Sequence, residues 1–252
     1  MYGVVSEHRL LSAAQAALTL LREGDLTLVG LLPWSSNYTF LGQITRGDER
    51  APIVYKPMRG ERPLWDFRRS TLAGREVAAY EVSRALGWDF IPPTVLREGP
   101  HGTGSVQLFV DADQDAHFFT FHENPAFRHA LQALALFDII VNNADRKGGH
   151  CLRVDTGRIV AIDHGLCFHV EPKLRTVIWQ FAGEPIPTDL AADLRRLAAD
   201  LAAADSPTTQ ALAPLISPAE LAALRDRLAS LLTAGRFPTP PEDRRAYPWP
   251  PV

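Results

Sequence analysis

Two neighbouring stretches decide the fold: residues 137–151, FDIIVNNADRKGGHC, and residues 160–168, VAIDHGLCF. The first stretch begins in a helix predicted over residues 126–141 from its apolar spacing, and it continues as a polar loop that contains Asp145. The second stretch ends a predicted hairpin, and Asp163 follows its last strand directly. An aspartate in a loop and a second aspartate at a strand end are the parts that phosphoryl transfer uses as base and metal ligand.

A lysine and a glutamate upstream fit the same chemistry. Residues 51–57, APIVYKP, predict a short strand that carries Lys56 at its end. Residues 71–87 predict a helix, and at ~100° per residue Glu76 lies about 60° from its apolar stripe. Glu76 is therefore expected to point inward and Glu81, nearly opposite the stripe, to be solvated. A Lys–Glu pair between a strand and a helix holds a lysine against nucleotide phosphates.

The remaining pattern predicts an α+β protein of two lobes joined near residues 108–116. The other predicted elements are a helix over residues 8–23, a strand–turn–strand over 26–45, two strands within 91–115, and helices over 188–204 and 217–233. The predicted domains are an N-lobe over residues 1–110, a C-lobe over residues 111–236 and a proline-rich tail over residues 237–252.

Composition narrows the class of protein. The 252 residues include 26 basic and 29 acidic side chains, for a net charge of −3, without the basic excess of a nucleic-acid-binding protein. No apolar run approaches ~20 residues, so no membrane span is expected, and the N-terminal residues lack signal-peptide features. Two cysteines cannot form a disulfide framework. We therefore expect a cytoplasmic protein, a monomer, that binds no nucleic acid and has no membrane span.

The motifs together resemble the phosphatidylinositol 3- and 4-kinase-like branch of the protein-kinase-like fold, and in particular its small actinobacterial members. The resemblance covers roughly residues 34–182, and HipA-like kinases share the same outline. The matching segments are VYKP, REVAAYEVSRALGW, FIPPTV, SVQLFV, FDIIVNNADRKGGHCL and VAIDHGLCF. The resemblance implies a bilobal protein-kinase-like fold, with a small β-rich N-lobe and a mainly helical C-lobe, that binds ATP and Mg²⁺ or Mn²⁺.

The resemblance also implies a role for each matching residue. Asp145 is then the catalytic-loop aspartate and Asp163 the metal-binding aspartate. Lys56 contacts the phosphates and Glu76 pairs with it. The segment expected to bind the adenine comprises Gln107, Leu108, Phe109 and Val110, and the turn expected to cover the phosphates comprises Ser35, Ser36 and Asn37.

The sequence departs from the family pattern in two places. The phosphate-covering turn lacks a G-x-G-x-x-G motif, so side chains and backbone N–H groups would replace it. His150 stands where the family usually has an asparagine as second metal ligand. An imidazole nitrogen suits Mn²⁺ better than Mg²⁺. A hydrogen-bonded histidine that binds no metal is an equal interpretation of His150.

Three functions follow from the sequence. The first is an ATP-dependent phosphotransferase whose hydroxyl acceptor is a lipid head group, a small polyol or a protein Ser/Thr. The second is a nucleotide-binding pseudokinase that regulates a partner, and the third is a protein nucleotidyltransferase on the same fold. Lipid acceptance needs peripheral membrane contact, for which the arginine-rich loop over residues 59–69 is the best candidate.

Overall fold

The chain forms two compact units. The computed structural model describes residues 7–32, 37–113, 115–154 and 157–252, with side chains described from residue 14 onward. Unit 1 comprises Met1–Val77 and Pro92–Val110, and unit 2 comprises Ala78–Ile91 and Asp111–Val252. Strands dominate unit 1 and helices dominate unit 2, in agreement with the predicted α+β class.

Unit 1 is built on a five-stranded antiparallel sheet. Its elements are α1 (Glu7–Glu23), β1 (Asp25–Leu31), β2 (Phe40–Arg46), β3 (Glu49–Pro57), the first part of α2 (Leu72–Leu86), β4 (Thr94–Gly99) and β5 (Gly102–Leu108). The strand order is β1-β2-β3-β5-β4. Arg97 donates to the carbonyls of Leu21 (2.9 Å) and Gly24 (2.7 Å), so a strand side chain satisfies the orphan carbonyls at the end of α1.

The register of β3 places Lys56 on the face opposite its core residues. Ile53 and Tyr55 are fully buried, and Lys56 points the other way because side chains alternate along a strand. Lys56 lies opposite Ser105 of β5. The β2–β3 hairpin is closed by Gly47, whose φ of 60° suits glycine in a tight turn.

Helix α2 is buried on nearly all sides, and this corrects one expectation from the sequence. Glu76 is 3% exposed, as its inward position requires. The expectation that Glu81 is solvated is wrong, because Glu81 is 8% exposed and its Oε2 accepts a hydrogen bond from Arg84 at 2.6 Å. A single apolar stripe predicts one buried face, whereas a helix enclosed all round also buries the opposite one.

Unit 2 is mainly helical. Its elements beyond α2 are α3 (Phe118–Phe121), α4 (Arg128–Val141), β6 (Cys151–Arg153), β7 (Ile159–Ala161), α5 (Thr188–Ala202), α6 (Pro207–Leu212) and α7 (Pro218–Ala234). Leu131, Leu134 and Phe137 of α4 are fully buried and form the centre of the core, against which α7 packs. None of the helices in the described ranges is long and apolar enough to span a bilayer.

One segment of the predicted N-lobe, residues 78–91, belongs to unit 2. The indole Nε1 of Trp88 donates to Asp193 Oδ2 at 2.8 Å, and the ring of Phe90 packs edge-on against Phe137 at 5.1 Å. These side chains tie the end of α2 and the following turn to the helical unit. The sequence shows α2 as one helix and gives no sign that the two ends have different partners.

Two short helices, α3 and α6, were not predicted. They have four and six residues, which is too short for a helical period to be recognised. The helices α1, α2, α4, α5 and α7 and the strands agree with the predicted elements within a few residues. The long, strongly periodic segments are therefore the ones that the sequence specifies best.

The proline-rich tail packs along unit 2 without forming a helix or strand. The carbonyl of Ala246 accepts hydrogen bonds from the N–H of Thr176 (3.1 Å) and the indole of Trp179 (3.0 Å). The carbonyl of Pro251 accepts from the N–H of Gly148 at 2.7 Å. The tail thus contacts the loop that carries Asp145.

The sheet around Lys56 leaves no room for a side chain at Gly104. A Cβ there would lie 2.5 Å from the Lys56 carbonyl oxygen and 2.6 Å from the Tyr55 ring. We expect Gly104→Ala to lower the free energy of unfolding by about 1–3 kcal/mol, measured by urea denaturation. Gly30→Ala is the control, because no atom lies within 4 Å of its Cβ position, and its effect should stay within ~0.5 kcal/mol. Equal effects at both glycines would contradict this packing.

Candidate active site

Lys56 and Glu76 form an ion pair within unit 1. The Lys56 ammonium donates to Glu76 Oε1, and the side chains are 25% and 4% exposed. A carboxylate buried to this degree needs a cationic or hydrogen-bonding partner. Strand β3 and helix α2 therefore fix the lysine from two sides, and a quarter of its side chain stays accessible.

The turn predicted to cover the phosphates is described only at Asn37. Ser35 and Ser36 lie outside the described residues. The Asn37 side-chain carbonyl accepts a hydrogen bond from the backbone N–H of Arg62 at 2.8 Å. Asn37 therefore ties its turn to the loop after β3, and its contact with phosphate remains a prediction.

The segment predicted to bind the adenine is the last part of unit 1 along the chain. Gln107 is buried and donates to Thr94 Oγ1 at 2.8 Å, so its side chain stabilises the sheet. The N–H groups of Leu108 and Phe109 each donate to a backbone carbonyl at 3.0 Å. Because both donors are engaged, adenine recognition here would use carbonyl groups of the segment or the N–H of Val110.

Asp145 follows helix α4 in unit 2, and the pKa of its carboxyl group is raised. Burial raises the pKa of its carboxyl from 3.8 to about 6, although the Lys147 ammonium lowers it and Asp163 raises it further. Lys147 Nζ lies 3.5 Å from Asp145 Oδ2. A carboxylate with a pKa close to neutrality is suited to accept a proton from a hydroxyl group.

Arg146 anchors the loop that carries Asp145 through buried hydrogen bonds. Its guanidinium and the Asp138 carboxylate of α4 are both fully buried, and Nε and Nη2 donate to that carboxylate at 3.0 Å. Nη1 donates to the Ile162 carbonyl at 3.0 Å, one residue before Asp163. The same arginine thus connects helix α4, the loop that carries Asp145 and the strand end that carries the second aspartate.

The Arg146 guanidinium also sets the tautomer of His164. Nη2 of Arg146 lies 2.6 Å from His164 Nε2. Since a guanidinium only donates, Nε2 of His164 must accept, and this fully buried imidazole is neutral with its proton on Nδ1. His164 is therefore a structural member of the buried network.

His150 and Asp163 present two metal donors to one place. Nδ1 of His150 lies 3.1 Å from the Asp145 carbonyl, which only accepts, so Nδ1 carries the proton. Nε2 lies 3.5 Å from Asp163 Oδ2, and it can bind a metal when it carries no proton. Asp163 has a φ of 61°, and its carboxylate is half exposed. The donor set fits a divalent cation.

A cation at this pair would need further ligands. Among the side chains that the structure describes, no group of three or more His, Cys, Asp or Glu residues is placed to hold a metal. Mg²⁺ at phosphoryl-transfer sites binds through one or two carboxylates and completes its shell with waters and substrate phosphates. Two protein donors are therefore sufficient for such a site.

Sequence reasoning missed the partners of the network. Asp138 lies on the apolar stripe of α4, where a charged residue is rarely fully buried unless it is paired. That position was the available signal for a buried ion pair. His164 had no comparable signal, because a histidine next to Asp163 is equally compatible with exposure. Cys151 and Cys167 are both buried, as expected for small core residues.

The buried Arg146–Asp138 pair should dominate the stability of unit 2. We expect Arg146→Met to lower the free energy of unfolding by about 3–5 kcal/mol, because it leaves a buried charge unpaired. Adding Asp138→Leu should recover part of that loss. Arg46→Met, which breaks exposed ion pairs, is the control and should cost below ~1 kcal/mol. Urea denaturation measures all three, and a double variant less stable than Arg146→Met would contradict this view.

The pKa of Asp145 can be measured directly. In protein free of nucleotide and metal, we expect its carboxyl carbon to titrate by NMR with a midpoint of about 6, assigned with Asp145→Asn. Lys147→Met removes a charge that favours the carboxylate, so the midpoint should rise. Arg158→Met removes an exposed charge that is not among those that shift the pKa of Asp145. This control should leave the midpoint unchanged. A midpoint near 4 in the wild type would refute the burial argument.

Comparison of the sequence with known proteins identifies relatives of this chain. The sequence profile of the family "Phosphatidylinositol 3- and 4-kinase" matches residues 94–208. Protein Rv2133c of Mycobacterium tuberculosis (strain ATCC 25618 / H37Rv) is 41% identical over 264 positions, which cover 92% of this chain and 94% of that protein. Phosphatidylinositol 4-kinase gamma 4 of Oryza sativa subsp. japonica is 31% identical over 183 positions, which cover 59% of this chain but only 32% of that protein.

Solved structures confirm the kinase-like fold. The Golgi casein kinase matches with a TM-score of 0.50 and 17% identity, over 92% of this chain and 75% of that one. The Helicobacter pylori proinflammatory kinase CtkA matches with a TM-score of 0.53 and 10% identity, over 86% and 94%. The chain belongs to the same family as Protein Rv2133c, and its residues 94–208 match the phosphatidylinositol 3- and 4-kinase profile.

Proposed function

We propose that the protein is an ATP-dependent phosphotransferase that moves the γ-phosphate of ATP to a hydroxyl acceptor. The observation that carries the proposal is the pairing of Asp145, whose pKa is raised to about 6, with the His150–Asp163 donor pair in the same unit. A proton acceptor and a cation site next to each other are the two parts that this reaction requires. The kinase-like family and fold support the same class of reaction.

In the proposed reaction Asp145 acts as the base. The acceptor oxygen attacks the γ-phosphorus while its proton moves to the Asp145 carboxylate. The bond from the γ-phosphorus to the bridging oxygen breaks, and ADP leaves. At neutral pH most of the Asp145 carboxyl is ionised, since its pKa is about 6, and the base is therefore available. The Lys147 ammonium, 3.5 Å from Asp145, adds positive charge where the transferred phosphoryl group would lie.

The other roles concern binding. Lys56 would hold the α- and β-phosphates, and Glu76 fixes the lysine by the buried ion pair. Asp163 and His150 would hold a divalent cation, which when bound supplies positive charge to the phosphates. The imidazole favours Mn²⁺ over Mg²⁺ relative to an all-oxygen site.

A nucleotide-binding pseudokinase is the second candidate, and one observation favours it. His150 donates to the Asp145 carbonyl and lies beside Asp163, so it can brace the loop without binding metal. A loop held in this way keeps its shape with or without turnover. The two functions differ only in whether phosphate is transferred.

The test begins with nucleotide binding. ATP with Mn²⁺ or Mg²⁺, at 100 times its dissociation constant, should stabilise the protein by ~2.7 kcal/mol. For a chain of this size the melting temperature would rise by about 5–10 °C. Asp163→Ala should abolish the shift, whereas Asp205→Ala, at an exposed aspartate of unit 2, should keep it. No shift with either metal would refute both candidates.

Turnover then separates the candidates. We expect the wild type to release or transfer labelled γ-phosphate, and Asp145→Asn to lower the rate by about 10²-fold or more because the base is lost. Asp205→Asn is the matched control and should remain active. A nucleotide-induced shift without turnover would identify the pseudokinase. Label from the α-phosphate retained on protein would instead identify nucleotidyl transfer.

A further inference from the structure

The loop between β3 and α2 forms an open cavity whose lining carries four arginines and one carboxylate, that of Glu61. The cavity has a volume of about 190 Å³ and lies entirely within unit 1. Four arginines line it, and all of them are exposed: Arg59, Arg62, Arg68 and Arg69. The whole chain carries a net charge of −3, so this concentration of positive charge is local. Lys56 and Glu76 are not among the lining residues.

The backbone around the cavity is held in place. Glu61 Oε1 accepts a hydrogen bond from the N–H of Ala73, in the first turn of α2, at 3.0 Å. The Thr71 hydroxyl donates to the Arg68 carbonyl at 2.6 Å. Ser70 has a φ of 59°, which a residue with a side chain adopts only where its surroundings require it. The cavity is therefore formed without a ligand, which lowers the ordering cost of binding.

A buried arginine stacks on an aromatic side chain of the cavity wall. Phe67 lines the cavity and is buried. The guanidinium of Arg75, which is 3% exposed, lies 5.0 Å from the centre of the Phe67 ring. A cation at this position is attracted by the ring face.

We propose that this cavity binds a phosphate-bearing ligand at a site separate from the proposed nucleotide site. Guanidinium groups match phosphate oxygens in a planar, two-bond geometry. A volume of 190 Å³ corresponds to about six water molecules at ~30 Å³ each, which suits a phosphate group with a few carbon atoms. The inference goes beyond phosphoryl transfer and does not depend on it.

Leu64, which lines the cavity, and its neighbour in the chain, Trp65, suit two sources of the phosphate. Trp65 is 91% exposed and Leu64 is 38% exposed. An aromatic side chain beside arginines is the combination that binds at the surface of an anionic bilayer. The ligand is therefore either a soluble sugar or polyol phosphate or the phosphate head group of a lipid.

The experiment compares two variants of equal charge. The cavity variant combines Arg59→Gln, Arg62→Gln, Arg68→Gln and Arg69→Gln. The control variant changes four exposed arginines outside the cavity to glutamine: Arg50, Arg153, Arg158 and Arg245. Glycerol 3-phosphate is titrated by calorimetry, and vesicles of phosphatidylcholine with and without phosphatidic acid are tested by co-sedimentation. The ATP-dependent thermal shift of each variant is measured in parallel.

The wild type should bind at least one of the two phosphate probes. The cavity variant should bind that probe at least tenfold more weakly, with less than a twofold change in the control and an unchanged ATP-dependent shift in both. Loss of glycerol 3-phosphate binding identifies a soluble ligand, and loss of binding only to phosphatidic acid vesicles identifies a lipid.

Three results would overturn the proposal: no binding of either probe by the wild type, equal losses in the two variants, or equal binding to vesicles without phosphatidic acid. Should the cavity variant not fold, the pairs Arg59→Gln with Arg62→Gln and Arg68→Gln with Arg69→Gln replace it. Each pair should then weaken binding in the same direction. An unchanged affinity in both pairs also overturns the proposal.

Discussion

The buried ion pair between Arg146 and Asp138 is the constraint on which unit 2 depends. Both side chains are fully buried, and two charges without water are stable only when most of their hydrogen-bonding groups are satisfied. Arg146 therefore donates to the helix and also to the carbonyl of Ile162. Asp145 precedes the arginine and Asp163 follows the carbonyl. The positions of the two aspartates are linked because Arg146 follows Asp145 in the chain and its guanidinium donates to the carbonyl of the residue before Asp163.

Unit 1 also contains a buried charge that is stabilised by an ion pair, but this pair loses less of its contact with water. Glu76 is buried, but Lys56 keeps a quarter of its side chain accessible, so the pair stays partly solvated. A fully buried ammonium would be confined to the carboxylate, and a fully exposed one would sample many rotamers. The intermediate burial gives a lysine with a defined position that a ligand can still reach, which is what a phosphate contact requires.

Long segments with helical or strand periodicity predict most of the fold. The surroundings of a single side chain are predicted less well. The inward position of Glu76 follows from helical geometry, because it depends only on the angle between Glu76 and the apolar stripe of the same helix. Glu81 contradicts the same reasoning, since what covers the far side of α2 is set by residues distant in the chain. The Arg146–Asp138 pair is eight residues apart across a helix end, where no periodic rule applies. The residues of the candidate site were proposed from the sequence and their roles stay predictions, whereas the buried partners that position them were not predicted.

The composition of the tail fits its position along the loop that carries Asp145. Proline has a carbonyl acceptor but no N–H donor, so a proline-rich segment brings acceptors with few donors of its own to satisfy. The surrounding backbone offers the complement, because Gly148 of this loop and Thr176 of the segment after β7 donate backbone N–H groups to the tail carbonyls. Each backbone donor near a buried surface needs a partner. A segment that looks featureless in the sequence therefore completes the hydrogen bonding of the loop that carries Asp145.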